Sequence, residues 1–336
     1  MKIVFFDLEN WQLDYLKGKV LNQDAHYFTT SVMDTDLNGI SDADIISTFI
    51  YSKVTKEVLD KFPNLKMVAT MSTGFDHIDI AECKRRGIAV CNVPAYGDNT
   101  VAEHAFGLLL NLSKKIYKAY DRTVRGQFNY DGLLGFDIKG KTLGVIGTGR
   151  IGCYSMKIAN GFGMNVIAYD AFPRESLQAE YNFKYVSLDD LFAQSDIITI
   201  HVPLLKETIH LINDDAVSKM KKGVIILNTA RGPVIETNAL VKGLQSGKIG
   251  GAGLDVLEDE TAIKDEWSLL HEITTLPSEQ LKVMVENEAL MKMENVLVTP
   301  HLAFYTREAI IRILDTNLKN IFDLVENRGL ENQVNK

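Results

Sequence analysis

The chain has 336 residues, 46% hydrophobic and 24% charged, with a formal net charge of −8. That length suggests two domains, and the apolar content excludes a disordered chain. The acidic residues are scattered, no basic stripe is present, and the longest apolar runs (Phe106 to Leu110, Val224 to Leu227) are far too short to span a bilayer, so neither nucleic acid nor membrane is expected as a partner.

Taken in chain order, the first hundred residues read as a small α/β unit. MKIVFFDLEN carries one lysine and is interrupted by Asp7 and Glu9, so it is expected to be a strand and not a signal peptide. Strand-like runs at Lys2–Phe6, Ile45–Ile50, Met67–Thr70 and Ile88–Val90 enclose helical runs near Lys56–Lys61 and Ile80–Arg86. Asn92-Val93-Pro94 breaks the pattern. Apolar residues at Val101, Ala105, Leu108, Leu109, Leu112, Ile116 and Ala119 then predict one long helix from Thr100 to Val124.

Beyond it the alternation is strict. Strands Leu143–Ile146, Val166–Tyr169, Ile197–Ile200, Val224–Leu227, Gly251–Leu254 and Val296–Val298 are separated by helices that include Ile151–Asn160, Leu188–Gln194, Asp214–Met220 and Asn238–Ser246. Apolar strands alternating with helices predict a parallel sheet covered on both faces. The fold class expected is α/β, with two Rossmann-like, doubly wound domains. The last helix, Arg307 to Val325, is expected to return the chain to the first unit. That makes one domain discontinuous, 1–98 plus 303–336, around a second at 99–302. The stretch between Asp255 and Pro300 is too long for a βα loop and holds a Met-rich helical run, Leu281–Met293. Such a loop is expected to be functional, with a small helix packed over a cleft.

The segment GVIGTGRIG, 144–152, carries the first chemical signal. Gly147 permits a tight turn after the strand, Gly149 lets the backbone approach a pyrophosphate, and Gly152 lets the helix sit close to the strand. The helix N-terminus adds free N–H groups and a partial positive charge. A bare glycine turn in an unliganded α/β domain has the same spacing. Here, however, the next strand ends in Asp170, 18 residues past Gly152. A carboxylate there can accept both ribose hydroxyls of NAD and repels the 2′-phosphate of NADP. NAD is the cofactor expected.

Three further strands end in reactive side chains. Val224–Leu227 leads to Asn228-Thr229-Ala230-Arg231, Gly251–Leu254 to Asp255 with Glu260 close behind, and Val296–Val298 to Thr299-Pro300-His301. Singly, Arg231 reads as a surface ion-pair residue, Glu260 as one acid of a solvated cluster, and His301 as a helix-terminal residue. Together, at one sheet edge, they can converge beside a nicotinamide.

These segments resemble the D-isomer-specific 2-hydroxyacid dehydrogenases, and within that family the D-lactate and D-2-hydroxyisocaproate branch. The matching stretches are GVIGTGRIG with Asp170, SDIITIHVP (195–203), MKKGVIILNTARGPVIE (220–236), GLDVLEDE (253–260) and NVLVTPHLAFYT (295–306), with STGFDHIDI (72–80) and NVPAYGDNTVAEHA (92–105) in addition. The resemblance implies NAD-dependent reduction of 2-oxo acids to D-2-hydroxy acids. Arg231 would hold the carboxylate and polarise the carbonyl. His301 would be the acid/base, and Glu260 would fix its tautomer and stabilise the imidazolium. It further implies Thr148, Arg150 and Ile151 at the pyrophosphate and Val202 and Pro203 on the adenosine side. Thr229, Ala230 and Asp255 would lie near the nicotinamide, Asp255 holding its carboxamide or supporting Arg231. His201 would either border the cofactor or support the fold. The Gly74 and Phe75 backbone would bind the substrate carboxylate, and Tyr96 and Phe304 would shape the pocket.

Competing readings are a formate dehydrogenase, whose family uses glutamine where Glu260 stands, and an NAD(H)-sensing, corepressor-like binding protein. No metal is expected, since the spacing of Asp76, His77 and Asp79 fits no ligand set well. Three cysteines (Cys83, Cys91, Cys153) without metal or redox spacing suggest a cytoplasmic setting. His104 reads as a satisfied packing residue. The long helix from Thr100 has more apolar residues than one stripe requires, and the family resembled is commonly dimeric, so a homodimer is expected.

Overall fold

Short apolar, β-branched runs build two sheets that are parallel throughout. The computed structural model describes residues 1–20, 23–260 and 277–336. The chain divides into two units, one of 1–96 with 306–336, the other of 97–305.

The first unit holds β1 (Lys2–Phe5), α1 (Asn10–Lys17), β2 (Asp24–Tyr27), β3 (Ile45–Thr48), α2 (Lys56–Leu59), β4 (Met67–Thr70), α3 (Ile80–Arg86) and β5 (Ala89–Cys91), with strand order β2-β1-β3-β4-β5. β3 and β4 are buried at every residue, as interior strands of a two-faced sheet must be. The C-terminal helix Arg307–Val325 completes this unit. Thr306 caps it by accepting from the Ala309 N–H, and Asn317 accepts from Ser47 of β3 at 2.9 Å. Asp79, one of the three residues weighed as metal ligands, caps α3 by accepting from Glu82 N, and His77 Nε2 lies 3.2 Å from Thr70 Oγ1.

The second unit runs α4 (Asp98–Lys114), α5 (Ile116–Val124), β6 (Thr142–Ile146), α6 (Arg150–Gly161), β7 (Asn165–Tyr169), α7 (Ser176–Tyr181), β8 (Lys184–Tyr185), α8 (Leu188–Gln194), β9 (Ile197–Ile200), α9 (Asp214–Lys219), β10 (Val224–Asn228), α10 (Thr237–Gln245), β11 (Ile249–Leu254), α11 (Ser278–Lys292) and β12 (Val296–Val298). The strand order is β12-β11-β10-β9-β6-β7-β8. Successive strands leave β6 in opposite directions, so a topological switch point lies between β6 and β9, where open α/β sheets bind ligands beyond the strand carboxyl ends. One face is covered by a core that includes Phe106, Leu109, Met156 and Ala159, the other by Leu191, Val217, Leu240 and Leu244.

One expectation is corrected here. The helix predicted from Thr100 to Val124 is two helices, because Lys115 takes a left-handed conformation (φ 52°) and stops α4. No glycine or proline marks the break. α4 buries eight residues, whereas α5 buries none. The three cysteines are free and buried, and burial pushes each thiol above its ordinary pKa. No helix among the described residues is long and apolar enough to cross a membrane.

Candidate active site

Every charged or glycine signal picked out in the second unit follows the carboxyl end of a strand of the seven-stranded sheet. After β6 the chain turns at Gly147 (φ 96°), where a Cβ would stand 2.7 Å from the His201 carbonyl oxygen. Gly152 sits so tightly on the turn that a Cβ would run into the Gly147 carbonyl, whereas nothing lies within 4 Å of a Cβ built on Gly149. Gly149 begins α6 with no side-chain cap hydrogen bond, and a helix N-terminus of this kind favours an anion. Arg150 is exposed beside it, 3.3 Å from Asp98, and Ile151 is half-buried.

Thr148 is buried and binds Asp170 twice, its N–H at 2.6 Å and its Oγ1 at 2.9 Å from Oδ2, while Asp170 Oδ1 accepts from Phe172 N at 2.9 Å. Asp170 is therefore locked onto the glycine turn at the end of β7. Val202 and Pro203 follow β9 in a half-buried and an exposed position.

His201 reaches the surface in part, but its ring is turned inward, with Nε2 2.9 Å from Ser155 Oγ and 3.0 Å from Thr199 Oγ1. Burial pushes its pKa down to about 3. The unfolded chain would take up this proton near pH ~6.5, so the contribution to stability is complete above that pH and falls by ~1.4 kcal/mol per unit as pH drops towards the folded value. His201→Gln, which keeps a hydrogen-bonding side chain, is expected to flatten the fall in Tm between pH 6 and 4 by the equivalent of one proton. Parallel Tm curves for variant and parent would refute this.

Arg231, Glu260 and His301 follow β10, β11 and β12, three neighbouring strands. Arg231 is exposed, and Asn228 braces its turn by donating to the Arg231 carbonyl at 3.0 Å and accepting from Ala230 N at 3.0 Å. A Cβ on Gly232 would collide with the Leu257 carbonyl and the Glu258 nitrogen, so the arginine turn and the glutamate turn are in backbone contact. Glu260 Oε1 lies 2.7 Å from His301 Nδ1. Burial raises the Glu260 carboxyl, but the bond to His301, its charge, the Leu257 N–H and the Arg231 charge together hold it below its ordinary value. An ionised carboxylate only accepts, so Nδ1 carries the proton and Nε2 is left to act on a substrate.

The bonds of Asp255 show what aims His301. This carboxylate is 1% exposed and accepts from Thr299 Oγ1 (2.5 Å), Leu302 N (3.0 Å) and Ala303 N (2.8 Å). Its carbonyl accepts from His301 N at 2.8 Å, in a turn where His301 itself stands at φ 52°. Among the described residues its side-chain hydrogen bonds run to the histidine turn and none runs to Arg231, while its N–H donates to the Asn228 carbonyl at 2.9 Å. His104, expected to be a satisfied packing residue, has Nε2 3.0 Å from Thr299 Oγ1 and 3.5 Å from Asp255 Oδ1. The contact joins positions 195 apart in sequence and has no local signature. Thr229 Oγ1 is buried at this edge with no hydrogen-bond partner among the described residues. That orphaned hydroxyl, the open face of Gly149 and the uncapped helix suit a nicotinamide dinucleotide. Half-buried Phe304 follows the histidine turn.

The remaining expected residues lie in the first unit. Gly74 and Phe75 are half-buried on the loop after β4, where the Gly74 carbonyl accepts from Ser72 Oγ at 2.6 Å. Tyr96 is half-buried, and its carbonyl accepts from Arg312 Nε at 2.5 Å.

A doubly wound sheet with a glycine turn, an acid after the next strand, and an Arg-Glu-His edge defines a nicotinamide-dependent oxidoreductase. Residues 106–303 match the model of the D-isomer specific 2-hydroxyacid dehydrogenase, NAD binding domain. A 2-hydroxyacid dehydrogenase homolog of Haemophilus influenzae is 36% identical over 341 residues, 99% of each chain. The crystal structure of D-lactate dehydrogenase from Aquifex aeolicus, complexed with NAD and lactic acid, is 38% identical with a TM-score of 0.80, covering 97% of this chain and 96% of that one. The pyruvate reductase of Chlamydomonas reinhardtii is 34% identical with a TM-score of 0.88, covering 99% and 98%. The chain belongs to the D-isomer specific 2-hydroxyacid dehydrogenase family. It is an NAD-dependent oxidoreductase of the α/β, two-sheet architecture.

Proposed function

We propose that this enzyme reduces pyruvate and larger aliphatic 2-oxo acids to D-2-hydroxy acids, and that pyruvate to D-lactate is its main reaction. The observation that carries the reading is the 2.7 Å bond between Glu260 and His301 beside the Arg231 turn. When bound, the nicotinamide supplies the hydride for reduction and takes it up in oxidation. Arg231 binds the substrate carboxylate through its planar fork and draws electron density from the carbonyl. His301 gives the proton on Nε2 to the carbonyl oxygen, and the resulting neutral ring stays oriented by Glu260. In the reverse direction the same nitrogen takes the hydroxyl proton, and Glu260 stabilises the imidazolium. The likeness to enzymes described with lactic acid and as a pyruvate reductase supports the substrate choice.

Selectivity rests on what packs the third substituent. Phe75, Tyr96 and Phe304 are proposed for that role, all apolar or amphipathic, so aliphatic side chains are favoured over second anionic groups. One added buried methylene changes discrimination by only ~1–3 kcal/mol, so a broad profile is expected. NADH oxidation across a panel of 2-oxo acids tests this, with chiral analysis of the pyruvate product. D-lactate, formed with NADH far better than with NADPH, is the expected result. L-lactate, equal use of the two cofactors, or no turnover at all would contradict it; the last would favour a binding protein that senses NAD(H).

We further propose a homodimer built on the second unit. α5 buries none of its residues, and Ile116, Tyr120 and Val124 are 50%, 68% and 61% exposed. Phe128, Tyr130 and Leu134 follow at 81%, 84% and 89%. Large apolar side chains exposed along α5 and the segment after it are best explained by a partner surface. Sedimentation is expected to give about twice the 37.6 kDa chain mass at micromolar concentration, and a single-chain mass would refute the proposal.

A further inference from the structure

The turn that carries Glu260 is gripped from three sides. Its underside rests on Gly232, where a Cβ would meet the Leu257 carbonyl. The Glu258 side chain is held by Thr237 at the start of α10, whose N and Oγ1 lie 3.1 and 2.7 Å from Oε2, and by His210 Nε2, 2.7 Å from Oε1. The Glu258 main chain is held by α11, because Asn287 Nδ2 donates to the Glu258 carbonyl at 2.8 Å. Asp259 then stands in the left-handed region at φ 52°, and Glu260 turns back so that Oε2 accepts from Leu257 N at 3.3 Å while Oε1 meets His301. A non-glycine residue keeps such a conformation only where its surroundings over-determine it.

Asn287 is 0% exposed, and its Oδ1 has no hydrogen-bond partner among the described residues. An amide half-satisfied in the interior costs stability relative to an apolar side chain of the same shape. Anchoring α11 does not require it. Leu290 is buried at 1% in the core, and Asn238 of α10 donates to Glu286 at 2.6 Å. What Asn287 alone adds is the bond to the 258–260 turn.

We propose that Asn287 is a positioning residue for the acid/base pair. By holding the Glu258 carbonyl it sets where Glu260 meets His301, and so brings α11 into the chemistry. The proposal rests on the reading of Glu260 and His301 as the proton-transfer pair.

The test is the pH profile of D-lactate oxidation with NAD, measured on the full-length enzyme as the parent, Asn287→Leu, Asn238→Ala and Glu260→Gln. Asn287→Leu is expected to move the acid limb to lower pH, in the same direction as Glu260→Gln, and to lower kcat about 5- to 20-fold with the KM for NAD within about twofold. Asn238→Ala loosens α11 without touching the turn and is expected to keep the parental profile. A merely structural role would lower Tm and the active fraction but leave the limb in place. An Asn287→Leu profile that superimposes on the parent, with Glu260→Gln displaced, overturns the proposal and leaves the acid/base reading intact. An undisplaced Glu260→Gln profile overturns both. Asn287→Ala is measured alongside under the same criteria, so that poor folding of the leucine variant does not leave the question open.

Discussion

Replacing His301 with glutamine is expected to lower turnover by about 10²-fold or more in either direction, the usual loss when a general acid is removed. Glutamine can still fill the space and donate a weak hydrogen bond, so folding and NADH affinity should change little. It cannot transfer a proton at neutral pH. Glu260→Gln is the companion change. The carboxyl is held below its ordinary value by His301 and Arg231 against the effect of burial, so it is ionised wherever the enzyme works. Taking that charge away removes support for the imidazolium, and the acid limb of the oxidation profile moves to lower pH. Steady-state rates from pH 5 to 9 measure both effects. Unchanged pH profiles in both variants would remove His301 and Glu260 from the proposed mechanism.

Gly232→Ala is expected to reduce kcat/KM for the 2-oxo acid by about 10²-fold, since a displacement of ~1 Å near reacting groups has that scale. The added methyl would enter the space of the Leu257 carbonyl and the Glu258 nitrogen, which are main-chain atoms and cannot rotate aside. Either the Arg231 turn or the Glu260 turn has to move. Overpacking of this kind also costs ~1–3 kcal/mol of stability. Calorimetry should therefore show a lower Tm alongside the kinetic loss. An alanine variant with parental kcat/KM would mean that neither turn needs its present position.

The α/β class and the two sheets were legible because interior strands of parallel sheets are apolar along their whole length, as in β9 and β10. Arg231 and His301 were singled out because each stands three residues past a strand, and Glu260 because it follows β11 by six. The edges were not. β2 reads Asp-Ala-His-Tyr and is nowhere fully buried, and β8 has two residues, so neither offers an apolar run to detect. The break at Lys115 was hidden because the left-handed residue is a lysine, where glycine or asparagine would have signalled it. The bonds from Asp255 to Thr299, Leu302 and Ala303 join residues 44 to 48 apart, a distance at which no local pattern records a contact. The helical run placed at Leu281–Met293 lies in α11, but positions 261–276 before it are outside the described residues.

The two hydrogen bonds from Thr148 to Asp170 bear on how readily this enzyme could be converted to the phosphorylated cofactor. Trading Asp170 for a residue without an acceptor would strip the partner from the buried Thr148 N–H, while the Thr148 hydroxyl would keep Tyr185 OH at 2.9 Å. Leaving such an N–H unpaired costs ~1–3 kcal/mol, so the swap would weaken the glycine turn. A conversion that keeps an acceptor at position 170, as asparagine does, is therefore expected to disturb the turn least.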